Sequence, residues 1–234
     1  MALFEKDHIV ETLQKDLQFS NRLNFITNKI HSSKDIDDIL INLMKSVLSL
    51  FDADRLTIYV VDKASKEIVS RFKTGDEIKE IRVPISDSSI AGYSAKSEKI
   101  VNIANAYDSD ELKRINPELT FDRSWDEKTG YTTMQVLAAP ITFDKYLLGV
   151  IQVINKFSGK HFTLEDQQSV IAIAKVLGIA FYNHKRLEQH IKRTKFDYLI
   201  SNNIITTSIR LNHSHTPVST PNIHNRSYVR VFNV

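Results

Sequence analysis

The spacing of apolar residues changes from three or four to two near Arg55 and returns to three or four after Thr163, so a strand-rich middle must lie between helical ends. Before the change, Ile9, Leu13, Leu17, Leu23, Ile26 and Ile30 make one helical stripe. His31-Ser32-Ser33 interrupts it, and Ser32 or Ser33 is placed to cap a second helix whose positive end suits Asp35, Asp37 and Asp38. That helix carries Ile36, Ile39, Leu40, Leu43, Val47, Leu48 and Phe51.

In the middle, Leu56–Val61 and Glu67–Phe72 are rich in β-branched and aromatic residues and are joined by the turn-forming stretch Asp62–Lys66, which predicts an antiparallel hairpin. Ile81–Pro84 reads as a strand whose proline belongs at an end or an edge, because proline cannot donate to a ladder. Further strands are predicted at Ile100–Ile103, Gln135–Ile141 and Leu147–Ile154. The polar stretch from Ala104 to Thr133 is too long for a simple connection, so it is functional or holds short helices of its own. Helix returns at Thr163, a capping residue followed by Glu165 and Asp166, and is predicted to run through Phe181 towards Lys192.

Composition removes several function classes. The chain has no cysteine, which excludes disulfides, thiolate nucleophiles, thiolate metal ligands and any cofactor attached through sulfur. The net charge of +3 is confined to the C-terminal end: no acid follows Asp197, and Arg210, Arg226 and Arg230 are the only basic residues from Tyr198 onward. Removing those three from 31 leaves 28 basic residues against 28 acidic ones, so no nucleic-acid footprint is indicated. Acids at Glu5, Asp7 and Glu11 argue against a signal peptide, and no apolar run reaches the ~18 residues needed to cross a bilayer. A soluble, cytoplasmic protein without membrane insertion is expected.

Helix, hairpin, strand, polar stretch, two strands and helix make an α+β domain. Four motifs in this order resemble the GAF domains of cyclic-nucleotide phosphodiesterases and some adenylyl cyclases: Ser89-Ile90-Ala91-Gly92-Tyr93; Val101-Asn102-Ile103 with Ala106-Tyr107; Asp126 to Thr133; and Asn155-Lys156 with Phe162 and Asp166. The last is similar to the family's "NKFDE" signature, with Gln167 in place of the final Glu. The resemblance implies a six-stranded antiparallel sheet with terminal helices packed on one face and a ligand pocket on the other. The expected division of the chain is an N-terminal dimer or signalling helix at 1–31, the GAF domain at 32–192, a linker helix or truncated following domain at 193–205, and a tail at 206–234 whose Ser, Thr, Asn, His and Pro content predicts disorder.

The positions matching the family's pocket are Thr57, Phe72, Ile90, Ala91, Asp126, Thr129, Thr133 and Gln152. Phe72 is expected to stack on a flat base or to serve as plain core, and the N–H groups of Ile90 and Ala91 suit a phosphate. Thr129, Thr133 and Gln152 suit the edges of a base, although the threonines serve equally well as helix caps. Gln152 stands where some nucleotide binders have Glu and Asp122 where an aromatic is expected, which leaves the base open. Asn155, Lys156, Phe162 and Asp166 are assigned a structural role, with Lys156 and Asp166 as an ion pair between strand and helix.

The resemblance thus implies a sensory domain that binds a small molecule, a cyclic nucleotide first among candidates, and reports it through dimeric terminal helices to a downstream effector. The alternative is a GAF module without ligand that serves dimerisation or docking. An enzyme is not expected: Asp126-Glu127 has no accompanying nucleophile, and the methionine-sulfoxide reduction some GAF proteins perform uses cysteines. No covalent cofactor or metal is expected, since none of the eight histidines matches a pocket position and His213-Ser-His215 falls in the expected tail. A second, shorter resemblance, from Lys195-Phe196-Asp197-Tyr198-Leu199-Ile200 to Thr206, is to the N-terminal domain of type II secretion and type IV pilus assembly ATPases. No phosphate-loop motif accompanies it.

Overall fold

The computed structural model describes residues 2–33, 36, 39, 43–74 and 77–213. The first apolar stripe forms α1 (Ala2–Ser32). Its two ends are treated differently: Ile26 and Ile30 are buried in the core, whereas Ile9, Val10, Leu13 and Leu17 remain 50–61% exposed. The Ser32 and Ser33 hydroxyls both donate to the Lys29 carbonyl and close the end of α1, while the start of the helix they were expected to cap lies largely outside the described residues. Asp35, Asp37 and Asp38, expected in the next helix, lie outside the described residues. Leu43 makes a bend before α2 (Met44–Phe51), which ends at Asp52 in a left-handed conformation.

The period-two segments form β1 (Ala53–Asp62), β2 (Glu67–Thr74), β3 (Glu77–Pro84), β4 (Val101–Ile103), β5 (Val136–Phe143) and β6 (Tyr146–Lys156). They make one six-stranded sheet in the order β3-β2-β1-β6-β5-β4, with antiparallel pairing throughout. Pro84 ends the edge strand β3, where the missing donor does no harm. The polar stretch does carry short helices, α4 (Ser109–Ile115) and α5 (Ser124–Thr129), and α3 (Ile90–Ser97) precedes it. The last helix, α6 (Leu164–His213), continues past residue 205 into the segment expected to be tail. Residues 214–234 lie outside the described part. The chain divides into two units, 1–187 and 188–234, and the first holds the whole sheet.

Alternation along the strands sorts side chains to two cores. Leu56 and Ile58 of β1 and Ile151 and Val153 of β6 pack with Ile30, Phe51, Leu177 and Phe181 on the helical face. Tyr59, Val136, Ala138 and Val150 face the other way and pack with Ile90, Ala91 and Ala95 of α3 and Leu112 of α4. Each large side chain buried in this way contributes roughly 1.5–3 kcal/mol. The helical layer approaches very closely at Gly178, where a Cβ would lie 2.2 Å from the Thr142 carbonyl oxygen. A helix-interior glycine costs about 1 kcal/mol against alanine, and here it allows α6 to rest directly on the β5 backbone.

Tyr59 is 6% exposed, and burial pushes its phenol up to about 12, against a smaller opposing effect of the Thr57 hydroxyl. Below pH 10 both folded and unfolded chains hold this proton; above it the unfolded chain loses it first, so stability falls as pH rises towards 12. Wild-type protein is therefore expected to lose about 2 kcal/mol more than Tyr59→Phe between roughly pH 9 and roughly pH 11.5, measured by urea unfolding. Equal losses would rule out a folded-state shift at this residue.

Candidate functional site

The second core is the floor of the candidate site. Thr57 on β1 and Gln152 on β6 are direct register partners, and Gln152 also pairs with Ala138 on β5, so the three sit in one row across adjacent strands. Strand parity puts Thr57 with Tyr59 and Gln152 with Val150, on the face away from α1 and α6. Gln152 is half-buried, and its amide makes no side-chain hydrogen bond to a described residue. Phe72 occupies β2 opposite Lys79; its side chain lies outside the described residues.

Over this floor, α3 begins at Ser89, whose extended backbone and hydroxyl, accepting from the Gly92 N–H, form an N-cap. Ile90 and Ala91 are buried, and their N–H groups lie in the first turn, where a helix supplies no internal partner. Gly92 lets this turn pass against the end of β3: a Cβ there would lie 2.4 Å from the Pro84 carbonyl oxygen. The Ser88 carbonyl next to it accepts from the Thr120 hydroxyl at 2.7 Å and from the Thr120 N–H at 3.3 Å, which joins the start of α3 to the α4–α5 connection.

That connection is fixed by carboxylates. Asp108 caps α4, and Glu111 accepts from the N–H groups of Ala104 and Asn105 at 2.7 and 2.9 Å. Asp126, 7% exposed on α5, accepts from the Tyr107 hydroxyl at 2.9 Å, the Thr133 N–H at 2.6 Å and the Thr133 hydroxyl at 2.9 Å. The Tyr107 phenol is raised by its bond to that carboxylate. Its ring meets Phe121 edge-on at 5.3 Å, with the Arg123 guanidinium 4.7 Å from its centroid. Thr129 is exposed at the end of α5, and its hydroxyl donates back to the Trp125 carbonyl at 2.7 Å. Asp122 is exposed and accepts from the Ser124 N–H, which holds its carboxyl below the usual range.

The segment entering β5 is held from the other side by Asn155. Its side-chain oxygen accepts from the N–H groups of Met134 at 2.8 Å and Gln135 at 3.1 Å, while its amide nitrogen donates to the Thr132 carbonyl at 2.7 Å and the Tyr131 hydroxyl at 3.0 Å. Asn155 is left-handed with φ 54°, a conformation asparagine tolerates better than most residues. Burial, followed by Asp54, raises the Tyr131 phenol, and Arg55 lies 3.3 Å from the Tyr131 ring centroid. Lys156 Nζ is 2.7 Å from Asp166 Oδ2, with the two side chains 15% and 13% exposed. Asp166 also accepts from the N–H and hydroxyl of Thr163, while the Thr163 hydroxyl accepts from the Asp166 N–H, a reciprocal cap at the start of α6. Phe162 is buried beside Lys156, and its carbonyl accepts from Asn102 on β4.

The family model for the GAF domain matches residues 35–181. The chain belongs to the GAF family. It is 33% identical over 206 residues to the probable 3',5'-cyclic phosphodiesterase pde-5 of Caenorhabditis elegans, covering 82% of this chain and 27% of that protein. It is 30% identical over 171 residues to the dual 3',5'-cyclic-AMP and -GMP phosphodiesterase 11A of Takifugu rubripes, covering 68% and 18%. The chain thus spans less than a third of the length of these two relatives. Among solved structures, the GAF domain of a phosphoenolpyruvate-protein phosphotransferase from Coxiella burnetii superposes with a TM-score of 0.60 at 17% identity, over 74% of this chain and 98% of that one.

In this GAF domain the expected site residues fall into separate groups. Thr57 and Gln152 are gathered on the floor, and Ile90 and Ala91 on the same side of the sheet. Asp126 and Thr133 are brought onto each other, and Thr129 is turned to its own helix. Tyr107, which binds Asp126, enters the sequence analysis only as part of a family motif and not as a site residue, because its partner is contributed by another element and nothing in the local spacing announces it. No group of three or more histidine, aspartate or glutamate side chains is gathered for a metal among the described residues, and none of the described helices is long and apolar enough to cross a membrane.

Proposed function

We propose that this GAF domain is a cytoplasmic regulatory module that binds a cyclic nucleotide between the Thr57–Gln152 row and the start of α3. The observation carrying this reading is the half-buried Gln152 amide, which makes no side-chain hydrogen bond to a described residue and is set in register beside Thr57. It offers a donor and an acceptor to the edge of a base, and the first-turn N–H groups of α3 suit an anionic phosphate. The relatives' names supply the ligand class. Occupancy passes through α1 and α6 of a homodimer to a downstream effector, for which the ligand must favour one helix arrangement by about 1–3 kcal/mol. The exposed stripe of Ile9, Leu13 and Leu17 suits such a pairing.

Calorimetry with cGMP and cAMP tests this reading. Binding is expected, and Gln152→Leu should weaken it about tenfold, the equivalent of one lost hydrogen bond. Trp125, the only tryptophan, lies on α5 and should report the same event by fluorescence. No heat with either nucleotide at millimolar concentration removes the ligand. That result would favour a docking or dimerisation module, a reading supported by Asp126, Thr129 and Thr133 being satisfied within the protein. Native mass spectrometry measures the dimer independently.

A further inference from the structure

On the helical side of the sheet, the end of α1 and the middle of α6 frame a cleft of about 160 Å³. Ile30, Ala180 and Leu187 give it apolar walls, and His31, Asn183 and His184 supply its polar groups. Ile30 and Ala180 are buried, so the backbones that carry the two imidazoles are fixed by the core. None of the His31, Asn183 and His184 side chains makes a hydrogen bond to another described residue. His31 is exposed and His184 half-buried, which leaves the opening accessible from solvent.

We propose that this cleft binds a divalent transition metal through His31 and His184, with the Asn183 amide oxygen and water completing its coordination. Neutral imidazole is a borderline ligand that suits nickel, copper and zinc, while magnesium and calcium prefer all-oxygen sets. The third protein donor is an amide and not a carboxylate, so the site carries little negative charge and favours ions that bind nitrogen strongly. Because one imidazole comes from each helix, the metal ties the last turn of α1 to α6. It stabilises the domain by linkage as its concentration rises above its dissociation constant. The site lies on the opposite face of the sheet from the proposed nucleotide and stands without it.

The test is titration of the full chain with nickel chloride, followed by calorimetry and by thermal melting. One equivalent is expected, with a rise in Tm at saturation. His31→Ala and His184→Ala should each weaken binding at least tenfold and abolish the rise in Tm. Both side chains reach solvent, so metal-free melting should stay at the wild-type value; should either variant melt lower, the corresponding glutamine variant replaces it. His213 and His215 form a competing pair in the sequence, and a His213→Ala/His215→Ala double variant should bind nickel as wild type does. Absence of binding, binding unaffected by the His31 and His184 variants, or binding lost with the His213/His215 pair overturns the site.

Discussion

Asp166→Ala is expected to destabilise the domain by about 3–5 kcal/mol, because it strands the Lys156 ammonium in a largely buried position. The same substitution removes the acceptor for the Thr163 N–H and hydroxyl, so the start of α6 loses its reciprocal cap as well. Asp166→Asn keeps an oxygen for Thr163 and loses the charge, so it should fall between wild type and alanine. In Lys156→Met/Asp166→Leu neither charge is left unpaired, and it should recover a large part of the loss. Urea unfolding of the four proteins measures all of this; a loss below about 1 kcal/mol for Asp166→Ala would place the pair in effective contact with solvent. The charges belong to strand and helix, so affinity for the proposed nucleotide, per folded molecule, should change little.

The second large effect is at Asn155. Asn155→Ala deletes four side-chain hydrogen bonds that hold residues 131–135 at the entry to β5. At roughly 0.5–1.5 kcal/mol each, with partial solvation of the groups left behind, the expected loss is about 3–4 kcal/mol. Part of it comes from placing alanine at φ 54°, and Asn155→Gly isolates that part because glycine adopts this conformation freely. Asn155→Asp keeps both acceptor contacts and loses both donors, so it should sit between wild type and Asn155→Ala. Asn155 also differs from Asp166 in its reach: the segment it holds contains Thr133, the partner of Asp126, so Asn155→Ala should loosen α5 and change Trp125 emission before global unfolding. If Trp125 emission and the global transition instead shift together, the two hubs act as one cooperative unit.

The strands, the helical ends and the start of α6 were legible because each depends on neighbours close in sequence. Leu56 and Ile58 alternate with Thr57 and Tyr59 wherever the strand is placed, and Thr163 caps with Asp166 through atoms three residues apart. The break at Ser33 was legible for the same reason, although the serine hydroxyls bond backwards to Lys29. The site was less so. Thr57 and Gln152 fall together because register aligns β1 with β6, whereas Asp126 is used up by Tyr107 and Thr133 in a way that their separation in sequence hides. Thr129 offers a hydroxyl to any reader of the sequence, and only the geometry of α5 directs it to Trp125.

By itself the sequence determined the alternation of helix and strand, the absence of thiol chemistry and the motifs that mark the family, since these follow from local periodicity and residue type. Tertiary structure alone decided which polar groups are spent on the fold and which stay available to a ligand. A hydrogen-bonding group has its partner chosen by distance in space: Asn155 and Asp126 are bonded across the fold, whereas the Gln152 side chain has no hydrogen bond to a described residue. Gly178 makes the same point for packing: its cost as a helix residue is written in the sequence, and its reason, the Thr142 carbonyl beneath it, exists only in the folded chain.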